Sequence, residues 1–307
     1  MSSPVVNNRP WGGFAWVTLA YVVAIAVAGL TLRFLPTDWH VMSRMAVADL
    51  AATIVVFVFS RGLNNSSLYD AYWSVAPMVI AIWLALGPGR GRGLDARQAL
   101  VLSLVSLYGI RLTYNWARGW TGLGHEDWRY VQMREANPRA YWLISFSALH
   151  LFPTLMVLLG VLPLYAALVT GSDGLNGLDL FAAVITLGAV TLEGVADNQL
   201  RAFRADPKNE KRICDVGVWA YSRHPNYFGE ISFWCCLFLF GVAAGSPAWM
   251  AAGPAVMIGL FVGASIPMSE KRSLLRRPAY AEHQRKVSML VPWFPKKDEG
   301  DSTPVAD

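Results

Sequence analysis

From its first apolar stretch onward the chain alternates between long hydrophobic runs and short segments rich in charge, glycine or proline. The runs fall at 14–35, 45–60, 71–88, 98–116, 143–169, 178–200, 230–244 and 247–267. Residues 140–172 contain no Asp, Glu, Lys or Arg, and neither do residues 231–269. Both stretches exceed the roughly 20 apolar residues with which a helix crosses a bilayer. The pattern predicts an all-α fold, a polytopic membrane bundle of about eight transmembrane helices. The last two runs meet at Gly245-Ser246-Pro247, a tight hairpin without charge. No internal repeat of fixed period is visible. The organisation expected is a single transmembrane domain over 1–295 and a polar, disordered tail over 296–307.

Composition sharpens this picture. Of 307 residues, 54% are hydrophobic and 15% charged, and the mean hydropathy is +0.36. A water-soluble domain of this length usually carries about 25% charged residues. Disorder and collagen-like repeats are excluded on the same grounds. The net charge of +5 reflects topology rather than nucleic acid, because no basic module with interleaved aromatics stands apart from the apolar runs. Cys214, Cys235 and Cys236 form neither a disulfide framework nor a CxxC pair. The first apolar run is too long for a cleavable signal peptide and reads as a membrane helix.

Positive charge sets the expected orientation. The loop at 170–179 holds Asp173 and Asp179 without Lys or Arg and should face outward. Segment 201–229 and the tail from Lys271 are basic and should be cytoplasmic. With eight spans both termini then lie inside, as in a multi-pass protein of a bacterial cytoplasmic membrane. The basic loop Gly87-Pro-Gly-Arg-Gly-Arg-Gly93 disagrees, since the alternation places it outside.

Ionisable groups inside a span are costly and mark functional candidates. In the fourth run Tyr108, Arg111, Asn115 and Arg118 share one helical face, and so do Glu193, Asp197, Arg201 and Arg204 in the sixth. The segment Tyr221-Ser-Arg-His-Pro-Asn-Tyr-Phe-Gly-Glu230 precedes the seventh run and a polar stretch around Asp70 precedes the third. These four clusters are expected to converge on one cytoplasm-facing cavity. Wet helix ends with snorkelling arginines are the bland explanation for any one of them. Asp49 and Arg33 lie nearer the outer side and read as structural, paired with each other or snorkelling.

A basic mouth with an apolar interior suits an anionic soluble cofactor and a lipophilic substrate from the bilayer. Tyr108 is placed to donate a hydrogen bond or proton to a carbonyl. The glycine-rich loop lacks G-x-G-x-x-G spacing and is no cofactor motif. The histidines are scattered, and no metal site is expected.

At these residues the chain resembles the steroid 5-alpha-reductase C-terminal family, and most closely its bacterial branch known as DUF1295. The resemblance covers about 65–295 and rests on Tyr108-Gly-Ile-Arg111, Gly124-His-Glu-Asp-Trp-Arg-Tyr130, Asp197-Asn-Gln-Leu-Arg-Ala-Phe-Arg204, the Tyr221–Glu230 element and Arg277-Pro-Ala-Tyr-Ala-Glu-His-Gln-Arg285 with Leu290-Val-Pro-Trp293. It implies a helical membrane reductase holding NADPH in its cytoplasmic half. Asp197, Arg201, Arg204 and Arg111 match cofactor contacts, and Asn226 and Glu230 match the nicotinamide and ribose side. Asn115, Arg118, Tyr221, Arg223, His224 and Tyr227 fall in the same elements and are taken as cofactor-binding. Tyr108 matches the tyrosine that polarises the enone carbonyl, and Asp70 is the candidate acid behind it, although the family's acid is not an aspartate.

The expected activity is hydride transfer from NADPH to the conjugated C=C of a lipophilic, steroid- or isoprenoid-like enone. The RHPNYFGE element also resembles isoprenylcysteine and phospholipid methyltransferases, so an S-adenosylmethionine-dependent lipid methyltransferase is the alternative. A transporter or lipid-binding protein is the third reading, disfavoured by the lack of repeats.

Overall fold

The computed structural model describes residues 10–87, 93–171 and 174–296. The core of the Gly87–Gly93 loop, Asp173 and the tail from residue 297 lie outside the described residues. Among those described, regular structure is helical: α1 Pro10–Phe34, α2 Val41–Gly62, α3 Tyr72–Leu86, α4 Ala96–Gly119, α5 Trp128–Ala136, α6 Tyr141–Thr170, α7 Gly177–Ala205, α8 Pro225–Ala243, α9 Ala248–Arg276 and α10 Tyr280–Lys286. A 3₁₀ turn, Ser66–Ala71, leads directly into α3. All eight expected runs are helices, and α5 and α10 are short additions from segments expected to be loops. Seven helices are long and apolar enough to span a bilayer, counting the Ser66–Ala71 turn with α3. The protein is an integral multi-pass membrane protein. The fourth run, α4, has the length, at 24 residues, but is not among the seven. Its Arg97, Arg111, Asn115 and Arg118 lower its hydropathy, while Leu107, Ile110 and Tyr114 leave an apolar face exposed.

The chain divides into two compact units, Met1–Leu175 with Gly241–Gly253, and Asn176–Phe240 with Pro254–Asp307. In the first, α1 packs along α2, and both helices bury small side chains, Ala20 and Ala24 on one and Ala48 and Ala52 on the other. α3 packs along α4 at Gly109, where an added Cβ would meet Met78 and sit 2.7 Å from the Ser74 carbonyl oxygen. Asp95 caps α4 in a reciprocal box with Gln98. Arg97, almost wholly buried, donates to the carbonyls of Gly174, in the loop before α7, and of Ala243, at the C-terminal end of α8.

Among the described residues three segments are widened to π-helix, Ser145–Leu151 and Ala166–Thr170 in α6 and Phe261–Ser265 in α9. The first and the last end two residues before a proline, Pro153 and Pro267. Proline lacks the N–H and crowds the carbonyl four residues back, which lies inside the widened turn in both cases. In α6 the disturbed ladder is re-satisfied by a side chain: His150 Nδ1 donates to the Ser145 carbonyl at 2.9 Å.

In the second unit, Asn176 and Asp179 cap α7 reciprocally. α8 approaches α7 at Gly229, where a Cβ would lie 2.8 Å from the Ala189 carbonyl oxygen and 2.5 Å from Glu193 Cγ. Gly217 has φ +57, a left-handed conformation that brings the Val218 N–H onto Gln199 Oε1 at 2.9 Å. The Trp219 indole donates to the Ala196 carbonyl at 2.9 Å. The segment after α10 lies along residues 221–223: Arg223 N–H donates to Ser288 O, and Trp293 N–H to Tyr221 O.

Close approach at Gly109 gives a direct test. Gly109→Leu should destabilise the protein by about 1–3 kcal/mol, because the Ser74 backbone carbonyl, which cannot swing aside as Met78 can, lies in the way. Gly188→Ala, with nothing within 4 Å, should be neutral or slightly stabilising. Thermal unfolding in detergent compares the two; equal effects would contradict the packing described.

Candidate functional site

In the first unit α4 carries the stripe expected of it. Tyr108 is fully buried, Arg111 and Asn115 are half-buried, and Arg118 is exposed. Arg118 donates to Asn115 Oδ1 at 3.0 Å and lies over the Tyr114 ring at 4.7 Å. The stripe thus runs from an apolar interior at Tyr108 to a wet end at Arg118. Asp70 sits in the turn before α3, where it accepts from the Tyr130 hydroxyl at 2.7 Å. Burial first, then the Asp70 charge, raises the pKa of Tyr130 well above the usual tyrosine value, so its hydroxyl stays a donor.

Tyr130 belongs to the Gly124–Tyr130 motif, whose acids and bases bind one another. Asp127 caps α5 through the Arg129 N–H and takes the Arg129 guanidinium at 2.7 Å. Its own N–H donates to Ser67 Oγ at 2.9 Å. Glu126 accepts from both Arg134, at 2.9 Å, and the Ser66 N–H, at 2.7 Å, and from the Tyr141 hydroxyl at 3.2 Å. Asn65 donates to the carbonyls of Leu123 and His125. These bonds fasten the motif to residues 64–70, and thereby fix where Asp70 sits.

In the second unit the structure brings Asp197 and Asn226 together: Asn226 Nδ2 donates to Asp197 Oδ1 at 3.5 Å, the long end of a hydrogen bond. Asn226 Oδ1 takes the Tyr227 N–H at 3.0 Å. Glu230, one turn on and buried, accepts from the Trp234 indole at 2.9 Å. Arg201 and Arg204 lie exposed at the end of α7. Arg204 has Arg276 and Arg277 near enough to repel it electrostatically. Arg277 donates through Nη2 to the Glu210 carbonyl at 2.9 Å, while its buried Nε has no partner. Three guanidinium groups with an unsatisfied N–H among them have the charge and the donors that an anion would need.

Arg223 and His224 are engaged elsewhere. Arg223 Nε binds Glu270 Oε1 at 2.6 Å and its Nη1 donates to the carbonyls of Gln284 and Val287. His224 Nε2 lies 3.2 Å from the same Glu270 oxygen, and its ring stacks on Tyr227 at 5.3 Å. Gln284 donates to the other Glu270 oxygen at 2.7 Å. Tyr221 is exposed and meets Phe294 edge-on. The two basic side chains therefore hold the tail in place, and Tyr227 borrows its position from His224.

Glu270, Arg276 and Arg277 were not among the expected site residues. A signal existed in the pair Arg276-Arg277 before Pro278, but it was absorbed into the count of cytoplasmic charge. Asp49 differs from expectation too. It accepts from the Tyr72 hydroxyl at 2.5 Å and makes no pair with Arg33, whose side chain is exposed. A neighbouring helix supplied a neutral donor at shorter reach than the flexible arginine.

The family model described as "Protein of unknown function (DUF1295)" matches residues 56–287, which include every site residue named above. The chain belongs to the DUF1295 family. It is 28% identical over 267 residues to an uncharacterized protein of Schizosaccharomyces pombe, covering 78% of this chain and 76% of that one. No solved structure matches. Within this DUF1295 protein the match ends beside α10 and takes in the whole Glu270 cluster.

His283 on α10 makes the tail pH-sensitive. Burial first, and then the Arg223 charge, hold its pKa below the usual histidine value. A depressed histidine contributes stability that is present above its unfolded value, about 6.5, and is lost as pH falls. The thermal midpoint should drop between about pH 7.5 and pH 5.5, and His283→Gln should reduce that drop. An unchanged pH profile in the variant would refute this.

Proposed function

We propose that this protein is a membrane-embedded, NADPH-dependent reductase acting on the conjugated C=C of a lipophilic enone. The observation that carries this reading is the guanidinium cluster of Arg204, Arg276 and Arg277, with its buried, unpartnered Arg277 Nε, in the same unit as the Asn226–Asp197 contact. These residues fit a dinucleotide: guanidiniums for phosphate, an acid and an amide for ribose and carboxamide. Arg201 extends the basic end of α7 toward the same charge, and Glu230 offers a buried carboxylate one turn above Asn226. An S-adenosylmethionine methyltransferase would leave the cluster unexplained, since that cofactor bears no phosphate.

Bound NADPH would supply a hydride. The chain's own part is binding, orientation and charge stabilisation. Tyr108, fully buried on α4, is assigned the hydroxyl that donates to the substrate carbonyl as negative charge develops on its oxygen. Arg111, Asn115 and Arg118 continue its stripe toward polar surroundings. Asp70, held by the Tyr130 hydroxyl, is assigned the acid that supports Tyr108. Arg223 and His224 act as positioning residues, through Glu270 and Tyr227. The apolar spans around Tyr108 select a lipophilic substrate that arrives through the bilayer and exclude water from the reacting carbon.

Purified protein in detergent should be stabilised by NADPH and not by S-adenosylmethionine, with a gain near 2.7 kcal/mol at a hundredfold excess over Kd. Arg277→Ala and Arg204→Ala should each weaken that stabilisation. Tyr108→Phe should leave it unchanged while lowering kcat for NADPH oxidation, across a panel of lipophilic enones, by about 10²–10³. Stabilisation by S-adenosylmethionine alone would replace the reductase reading with the methyltransferase one.

A further inference from the structure

The first unit holds a cleft that the reductase reading does not use. α1, α2 and α3 flank an apolar cleft of about 70 Å³, room for a hydroxyl head and the first carbons of a chain rather than for a whole lipid. α1 packs along α2, and α3 along α4, so the cleft opens where α1 and α3 stand apart. Ala28, Ala76 and Trp83 are among its apolar walls, and Tyr21 closes one end by donating to the Leu68 carbonyl at 3.0 Å. Its lining from α1 and α2 lies before residue 56, outside the segment that the family model matches.

One carboxylate lines this space. Asp49 is 6% exposed and lines the cleft. Its Oδ1 takes the Tyr72 hydroxyl, which also receives a bond from Thr53 Oγ1 at 3.2 Å. Its Oδ2 is buried and no donor reaches it. An unsatisfied carboxylate oxygen inside a bilayer is costly and needs a specific partner. A hydroxyl group suits that oxygen in either state of the acid, donating to it when ionised and accepting from it when protonated. An ammonium group suits only the ionised form, and a hydrocarbon suits neither.

We propose that the α1–α2–α3 cleft binds a lipophilic alcohol from the bilayer, its hydroxyl on Asp49 Oδ2 and its chain along α1 and α3. The site is separate from Tyr108 and its stripe and does not depend on the reductase reading. Membrane lipid alcohols and alcohol products of metabolism share this chemistry.

The full chain in phosphatidylcholine nanodiscs, photolabelled with a diazirine analogue of hexadecanol and read by peptide mass spectrometry, tests the proposal. Labelling should concentrate on the cleft-facing residues of α1 and α3. Hexadecanol should compete at least tenfold better than hexadecane, and Asp49→Leu should abolish that preference. Ala76→Phe, which fills the space and leaves Asp49 intact, should remove the focal labelling and serves if Asp49→Leu fails to fold. Labelling spread evenly over lipid-facing residues, equal competition by hexadecane, an alcohol preference surviving Asp49→Leu, or stronger displacement by hexadecylamine than by hexadecanol would each overturn it. A short-chain and an isoprenoid alcohol, run as further competitors, distinguish the two sources by which displaces the probe more strongly.

Discussion

A polar side chain between apolar helices has no water to turn to, so its partner must come from another part of the chain. That constraint organises the first unit. Thr53 on α2 joins Tyr72 of α3, and shares a 2.7 Å bond with Thr154 on α6, which in turn bonds Tyr69 at 2.6 Å. His150 reaches Ser60 through Nε2 and the Ser145 carbonyl through Nδ1. Ser66 bonds both Ser145 and Tyr141, and Tyr141 passes the network to Glu126 and Arg134. α2, α3 and α6 are thus stitched by hydroxyls along their length, which specifies register where lipid-like packing alone would not. The widened turn in α6 belongs to this arrangement, since it presents the Ser145 carbonyl to His150.

In the second unit one carboxylate plays the corresponding part. Glu270, on a spanning helix, gathers Arg223, His224 and Gln284 from two other segments. The segment after α10 is held against residues 221–223 by backbone bonds as well. The RHPNYFGE element owes its shape to this clamp: its Arg and His are turned away to the acid, which leaves Asn226 toward Asp197 and Glu230 toward Trp234. A motif of nominally functional residues is therefore half scaffold. Residues that bear charge in a membrane protein divide between those that hold a site and those that face it, and only partners tell them apart.

The helices were legible because hydrophobic run length is a direct physical signal: a bilayer demands it whatever the neighbours are. The faces of α4 and α7 followed from helical periodicity in the same way. What could not be read were pairings across the chain. Arg276 and Arg277 registered only as topological charge because their closeness to Arg204 depends on how the end of α9 folds back on the end of α7. Position near the same end leaves Asp49 and Arg33 to pair or to snorkel, and packing instead delivers Tyr72 to Asp49. The short α5 and α10 carry too little apolar periodicity to stand out, and owe their placement to Asp127 and to the Glu270 cluster.

By itself the sequence determined that this chain lives in a membrane, where its apolar runs lie, and which positions share a helical face. Those properties depend on local composition and on the fixed geometry of a helix. Tertiary structure alone decided which polar groups satisfy one another and which stay unsatisfied, as at Arg277 Nε and Asp49 Oδ2. The reason is reach: a hydrogen bond is made within about 3 Å, and no spacing along the chain reveals which distant residue will come that close.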